Sequence, residues 1–264
     1  MHILVTNDDG IDAPGLSALA SGLRGLGEVT IIAPDRNWSI SGHSKTFNRP
    51  LRAQSVNLID GIPSWSLDGS PADCVAFAFL GFLDHDIDLV VSGINPYPNI
   101  GTDVTYSGTV TAAFEGAIFG CKAVAVSLDS DGSHTSPDAF TAAAEVARHV
   151  AAGTLSHELP SRVVLNVNVP DRLYENLEGV EITRLGKRIY RDTLVQRTDP
   201  YNRPYYWFGG DPPTGVPEEG TDIGALHAGK VSICPLRLDM SAVNLHSSIQ
   251  SWGIHLNASP KISS

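Results

Sequence analysis

The sequence predicts an α/β fold: a Rossmann-like three-layer sandwich around a mostly parallel sheet, with a C-terminal extension for oligomerisation. Three observations predict it. Short apolar runs of strand length alternate with helical patterns through residues 1–170. Helix starts are marked by proline or capping residues, at Pro14, Ser70-Pro71 and Ser136-Pro137. From about residue 171 the character changes, with tyrosine and proline crowding 190–217 and helix signals weakening. Strand–helix alternation implies parallel strands joined by crossover helices. The expected division is therefore a catalytic core over 1–170 and an extension over 171–264.

Each element has its own signal. Ile3-Leu4-Val5 reads as a buried strand, followed by a loop and a helix from about Pro14 to Leu26. Val29 to Ala33 is a second strand, stopped by Pro34. Ser70-Pro71-Ala72-Asp73 supplies a capping box with proline at the first helical position, opening a helix to about Leu83. Ile87 to Val91 and Ala123 to Val126 are further strands, with a helix from about Thr109 to Phe119 between them. Ser136-Pro137 starts a helix that Gly153 is expected to end, and Val163-Val164-Leu165 begins another strand. Alanines at 112–117 and 141–147 suit close packing of helix on sheet. In the extension, Thr183, Tyr205-Tyr206-Trp207 and Val231-Ser232-Ile233 read as hairpin strands.

Composition narrows the function. A length of 264 residues suffices for one large α/β domain with its own core. A formal net charge of −11 disfavours nucleic-acid polymers as partners, because phosphate backbones need a basic face. The longest apolar run, Cys74 to Leu83, is too short to span a bilayer, and the N-terminus carries no apolar targeting region, so a cytoplasmic location is expected. Cys74, Cys121 and Cys234 are far apart and odd in number, and read as buried thiols in a reducing compartment.

Parallel sheets place ligands at the carboxyl ends of their strands. The first strand ends in Asn7-Asp8-Asp9-Gly10, the second leads to Ser39, and the strand at 87–91 ends in Ser92-Gly93-Ile94-Asn95. Two carboxylates, a hydroxyl and an amide oxygen would meet on one rim. Adjacent carboxylates repel unless a cation lies between them. All-oxygen ligation favours a hard ion such as magnesium, manganese or calcium over zinc. An ordinary turn would use the same Asn, Asp and Gly residues. The coincidence of three loops tips the reading to a metal. No GxGxxG follows the first strand, which argues against a dinucleotide site.

Tyr106-Ser107-Gly108-Thr109-Val110 precedes the alanine-rich helix and offers an anion site of free N–H groups and hydroxyls. Taken alone, that tetrapeptide reads better as a plain N-cap by Ser107; one loop from a metal, phosphate binding becomes the better reading. The stretch from Arg36 to Ile59 holds no acid but has Arg36, His43, Lys45, Arg49 and Arg52. It reads either as a draw for an anionic substrate or as a solvated loop, with His43 either a general acid or a bystander.

Met1 to Gly10, followed by Ala13-Pro14-Gly15, resembles the opening signature of the SurE (stationary-phase survival) nucleotidase family. Ala33-Pro34-Asp35-Arg36 with Ser39, Ser92 to Asn95, Asp103-Val104 and Tyr106 to Val110 continue the likeness in the same order. So do Thr183 to Gly186 with Tyr190, and Thr221-Asp222 with Ala225-Leu226 and Ser232. The resemblance implies one divalent cation per subunit (Mg2+ or Mn2+) on Asp8, Asp9, Ser39 and Asn95. It also implies hydrolysis of nucleoside 5′- and 3′-monophosphates by a homodimer or homotetramer, with polyphosphate shortened by some members. In the reading that follows, Asp8 and Asp9 are also catalytic, and Asn99, Ser107, Gly108 and Thr109 contact phosphate. The sequence departs from the pattern at Ile40, at Pro96-Tyr97-Pro98 and at Thr111, where glycines are usual. Two rival readings are a phosphatase forming an aspartyl-phosphate, which would resemble DxD rather than adjacent acids, and a non-catalytic nucleotide sensor on the same fold.

Overall fold

The computed structural model describes residues 1–130 and 136–254. Eleven strands are β1 (His2–Thr6), β2 (Glu28–Pro34), β3 (Ala53–Ile59), β4 (Ile62–Leu67), β5 (Leu89–Asn95), β6 (Lys122–Asp129), β7 (Val163–Pro170), β8 (Val180–Ile182), β9 (Arg188–Thr198), β10 (Pro204–Gly215) and β11 (Val231–Arg237). The helices are α1 (Pro14–Leu23), α2 (Pro71–Phe77), α3 (Gly108–Ile118), α4 (Pro137–Ser156), α5 (Asp222–His227) and α6 (His246–Gln250). Nine strands form one sheet in the order β3-β4-β2-β1-β5-β6-β7-β11-β8, and β9 and β10 pair separately. The run from β4 to β7 is parallel throughout, while β3 and β11 pair antiparallel with their neighbours β4 and β7.

Burial follows from the sequence pattern. β1, β2, β5 and β6 are apolar and buried on both faces, as strands covered by helices on each side must be. Leu16, Leu19, Ala20 and Leu23 of α1 join Ala139, Phe140, Ala143 and Ala147 of α4 in the core on one face. Cys74 and Val75 of α2 join Val110, Ala112, Ala113 and Ala117 of α3 on the other. This is the expected three-layer sandwich. The capping box also forms: Ser70 Oγ accepts from the Asp73 N–H at 3.1 Å, and Asp73 Oδ2 accepts from the Ser70 N–H at 2.9 Å.

Several elements differ from the sequence reading. β3 and β4 lie in a stretch that carried no strand signal. β4 buries Ser64 and Ser66 where apolar residues would have given alternation, and β3 is an edge strand with mostly exposed side chains. Gly153 does not end α4; the helix runs to Ser156, and the His157 main chain and ring both return to the Gly153 carbonyl, at 3.1 and 2.9 Å. The segment 171–264 divides into parts. β8 and β11 complete the main sheet, so Val231-Ser232-Ile233 is no hairpin strand, while β9 and β10 do stand apart as a hairpin. Residues 255–264 of the expected extension lie outside the described residues.

The strand order reverses between β1 and β5, because the chain lays β2 on one side of β1 and later returns to lay β5 on the other. That switch point opens a crevice at the carboxyl ends of both strands. α1 is pressed tightly beside it: a Cβ on Gly15 would lie 2.1 Å from the Ile94 carbonyl oxygen and 2.9 Å from Phe140 Cε1. Gly15→Ala therefore overpacks the junction of α1, β5 and α4 and should cost about 1–3 kcal/mol. A lowered urea midpoint with unchanged m-value is the expected result, and an unchanged midpoint would show that α1 yields freely.

Candidate active site at the β1–β5 switch point

The turn after β1 is built by Asn7, whose side chain donates to the Gly10 carbonyl at 2.9 Å and accepts from the Gly10 N–H at 3.2 Å. The expected turn therefore exists, and it serves to aim two carboxylates. Asp8 is buried against the start of α3, where the Thr109 hydroxyl donates to its Oδ1 at 2.6 Å. Ser107 caps that helix by accepting from the Val110 N–H at 3.0 Å. Gly108 is required here, since a Cβ would sit 2.7 Å from Asp8 Cβ and 2.9 Å from Asp8 Oδ2. The N-terminal dipole of α3 is thus directed at a carboxylate of the chain itself. Thr109, expected at the phosphate, is wholly buried and donates its hydroxyl to Asp8.

The loop from β2 closes over this pair. The Trp38 N–H donates to the Asp8 carbonyl at 2.7 Å, and the Ser39 N–H to Asn37 Oδ1 at 2.7 Å. Further along, buried Glu115 of α3 accepts from Lys45 Nζ at 2.6 Å and pairs with His43 Nε2 at 2.9 Å. Arg49 and Arg52 pair with Asp68. The local excess of positive charge seen in the sequence is thus largely spent on holding the loop down, and His43 is held by Glu115.

From the other strands come the amides. Asn95, at the end of β5 and lining the cleft, donates through Nδ2 to the Tyr97 carbonyl at 2.6 Å. Asn99 is fixed by its main chain: its N–H donates to Asn168 Oδ1 at 2.8 Å, and its carbonyl accepts from Asn166 and Asn168 at 2.8 and 3.1 Å. Its own Nδ2 donates to Ser127 Oγ at 2.8 Å. Asp222, at the start of α5, accepts from the Gly101 and Gly186 N–H groups at 2.8 and 2.7 Å. Asn166, Asn168 and Asp222 were not picked out as site residues. Two asparagines alternating in an otherwise apolar strand, Val163 to Pro170, were the available signal.

Asp8, Ser39, Asn95, Asn99 and Ser107 line a single cleft of about 360 Å³. Asp9 adjoins Asp8, and Gly108 and Thr109 stand behind it. Rim residues are Ile40, Tyr97, Asp103 and Tyr106, together with Pro213 of β10. Burial raises the pKa of Asp8, against the opposing effect of its hydrogen bonds from Thr109 and the α3 main chain. Asp9 is pushed to about 7 by burial and then by the charge of Asp8. Its Oδ2 is buried without a hydrogen-bond partner among the described residues. Two adjacent, desolvated carboxylates with an unpartnered oxygen fit a cation. Ser39 and Asn95 add neutral oxygens to the lining of the same cleft, and an all-oxygen set of this kind is the chemistry hard divalent ions take.

Comparison with known proteins agrees with this architecture. The family model of survival protein SurE matches residues 3–192. The 5′-nucleotidase SurE of Herpetosiphon aurantiacus is 53% identical over 241 residues, covering 91% of this chain and 94% of that protein. Its counterpart in Chloroflexus aggregans is 47% identical, covering 96% and 99%. The crystal structure of the SurE protein from Aquifex aeolicus superposes with a TM-score of 0.81 at 38% identity, over 96% of this chain and 99% of that one.

The raised pKa of Asp9 has a consequence for stability. Between an ordinary value of 3.8 and about 7, the folded chain binds this proton more tightly than the unfolded chain does. Without a cation, this carboxylate therefore withdraws stability as pH rises through that window. In chelator, the urea midpoint should fall from pH 5 to pH 8 in the parent more than in Asp9→Asn, and Mn2+ should restore it at pH 8. Parallel pH profiles for the two proteins would show that Asp9 is not strained by its burial.

Proposed function

The chain belongs to the survival protein SurE family, and from that premise we propose that it is a 5′-nucleotidase, hydrolysing nucleoside 5′-monophosphates with a divalent cation. We extend the proposal to 3′-monophosphates. The observation that carries the metal requirement is the buried, unpartnered Asp9 Oδ2 beside Asp8 at the switch point. Asp8, Asp9, Ser39 and Asn95 would hold the ion. Once bound, the ion supplies Lewis acidity at the phosphate and at the attacking water.

The chain's own residues do the remaining work. Asp8 is locked by Thr109 and the main chain of α3, which fixes a ligand before substrate arrives. Asp9 would meet the ion through Oδ2, which has no hydrogen-bond partner among the described residues, and its other oxygen, contacted only by Asn37 Nδ2 at 3.5 Å, is the one able to take a proton from water. Ser107 and Asn99, both lining the cleft, are placed to receive phosphate oxygens, with Ser107 Oγ oriented by the Val110 N–H of α3 and the Asn99 main chain tied to β7. Because these donors are fixed in advance, little reorganisation accompanies charge development in the transition state.

Assembly and location extend this reading. The β9–β10 hairpin leaves Trp207 64% and Phe208 91% exposed, with Leu194 nearby on the paired strand. Such a surface suits burial against a second copy, and we take the active form as a homodimer or homotetramer. Among the described residues no helix is long and apolar enough to cross a membrane. Free Cys74, Cys121 and Cys234 fit the reducing cytoplasm.

Asp9→Asn should abolish hydrolysis of AMP across a full Mn2+ titration, with the loss in kcat, since the site acts on the transition state. Near-parental turnover by that variant would overturn the site assignment. Trapping a phospho-enzyme on Asp8 or Asp9 would instead favour the aspartyl-phosphate route, and AMP binding without turnover in the parent would favour a sensor.

A further inference from the structure

We propose that Tyr97, with Tyr106 as the second face, forms a nucleobase-stacking subsite at the mouth of the cleft. The inference rests on the nucleotidase reading and adds what the metal and phosphate residues do not supply: a reason for the nucleoside part of the substrate to matter. Both tyrosines line the same cleft as Asp8, Ser39, Asn95 and Ser107. Both are more than half exposed there, Tyr97 at 53% and Tyr106 at 58%. Neither ring is packed away in the core, so each presents aromatic surface that costs little to cover.

Their backbones are fixed from two directions. Tyr97 lies between Pro96 and Pro98, and its carbonyl accepts from Asn95 Nδ2 at 2.6 Å, while the Pro96 carbonyl accepts from Ser130 Oγ at 2.9 Å. Prolines on either side restrict the loop, so presenting the ring carries a small ordering cost on binding. Tyr106 directly precedes the Ser107 cap of α3, and its carbonyl accepts from the Gly42 N–H at 3.0 Å. Each aromatic is therefore tied through a neighbouring residue to a side chain assigned to the ion or the phosphate. A nucleotide whose phosphate sits at Asp8 and Ser107 must extend its sugar and base outward across this rim. Pro213 of β10 adds a further apolar, rigid surface at the same rim.

The chemistry of the rim fixes what it selects. Tyr97, Tyr106, Ile40 and Pro213 offer faces rather than a pattern of donors and acceptors matched to one base. Asp103, the acid on the rim, already pairs with Arg188 Nε at 2.7 Å and accepts from the Tyr190 hydroxyl. Every nucleobase has a π-face, so stacking of this kind is tolerant of base identity. The subsite should therefore favour nucleotides over base-free phosphate esters while accepting purines and pyrimidines alike.

The test compares AMP and CMP with ribose 5-phosphate, which keeps the ester and the sugar but lacks the base. Stacking on one aromatic face corresponds to about 5- to 150-fold in kcat/KM. The parent should prefer both nucleotides to ribose 5-phosphate by a factor in that range. In Tyr97→Leu that ratio should collapse by about fivefold or more, through KM rather than kcat, and Tyr97→Phe should keep it. A ratio unchanged in Tyr97→Leu, whether both activities fall or both rise, would overturn the subsite while leaving the nucleotidase reading intact. If the parent hydrolyses none of the three, the nucleotidase reading fails instead. Equilibrium binding of AMP and ribose 5-phosphate to the parent and to Tyr97→Leu then decides the subsite on the same ratio.

Discussion

The arrangement depends on one constraint: two adjacent carboxylates, buried Asp8 and half-buried Asp9, sit at the end of a central parallel strand. Desolvating one charge is expensive, and desolvating two like charges side by side is more so. Much of the local structure responds to that cost. Asn7 closes the turn that aims them, the first turn of α3 offers its dipole and the Thr109 hydroxyl to Asp8, and Gly108 makes room for the approach. Asp9 has no such hydrogen bond to its Oδ2 among the described residues, and its pKa is pushed up to about 7. The pair is therefore asymmetric: Asp8 is held in place by α3, and Asp9 keeps an oxygen that the proposed cation would meet.

The same economy governs the loop that brings Ser39. Its backbone runs over the carboxylates through Trp38, and its far half is anchored to α3 by Glu115, which takes both Lys45 and His43. Glu115 is buried, yet its pKa is lowered, because its hydrogen bonds and charge contacts from His43 and Lys45 together outweigh the desolvation that would raise it. A buried carboxylate paired with a lysine is costly to break, since removing Lys45 leaves the Glu115 charge uncompensated. The loop is thus clamped to the helix that also holds Asp8. Residues that looked like an electrostatic funnel in the sequence act mainly as fasteners.

How much of this was legible follows from what kind of signal each part carries. Apolar runs such as Leu4-Val5 and Leu89 to Val91 declare buried parallel strands, and the end of such a strand is where ligands gather, so the sequence alone puts Asp8, Asp9 and Asn95 on one rim. Capping signals at Ser70 and Ser107 were equally local and equally readable. β4 was not, because small buried serines break the alternation that reveals a strand. β11 was misplaced for a different reason: its sequence shows a strand but not its partner, and only the fold decides that it joins β7. Thr109 illustrates the limit within the site. Its position at a helix start is visible, but whether its hydroxyl meets a ligand or Asp8 depends on a contact 101 residues away in sequence.

The distant segments matter because they finish the site rather than decorate it. Asp222 gathers the N–H groups of Gly101 and Gly186, joining the loop after Asn99 to the segment that leads into the hairpin. Arg188 and Tyr190 at the start of β9 grip Asp103, and Pro213 near the end of β10 reaches the rim of the cleft. The root of the hairpin is therefore part of the wall around the substrate, whereas Tyr201 and Phe208 farther along are left in solvent. A two-stranded ribbon has little independent stability, so its order must come from contacts at its root or from something that covers its apolar side chains. Here the root contacts are made to the active-site loop itself. The hairpin and the cleft thus share one set of contacts, the Arg188 ion pair and the Tyr190 hydrogen bond on Asp103, with Pro213 on the rim.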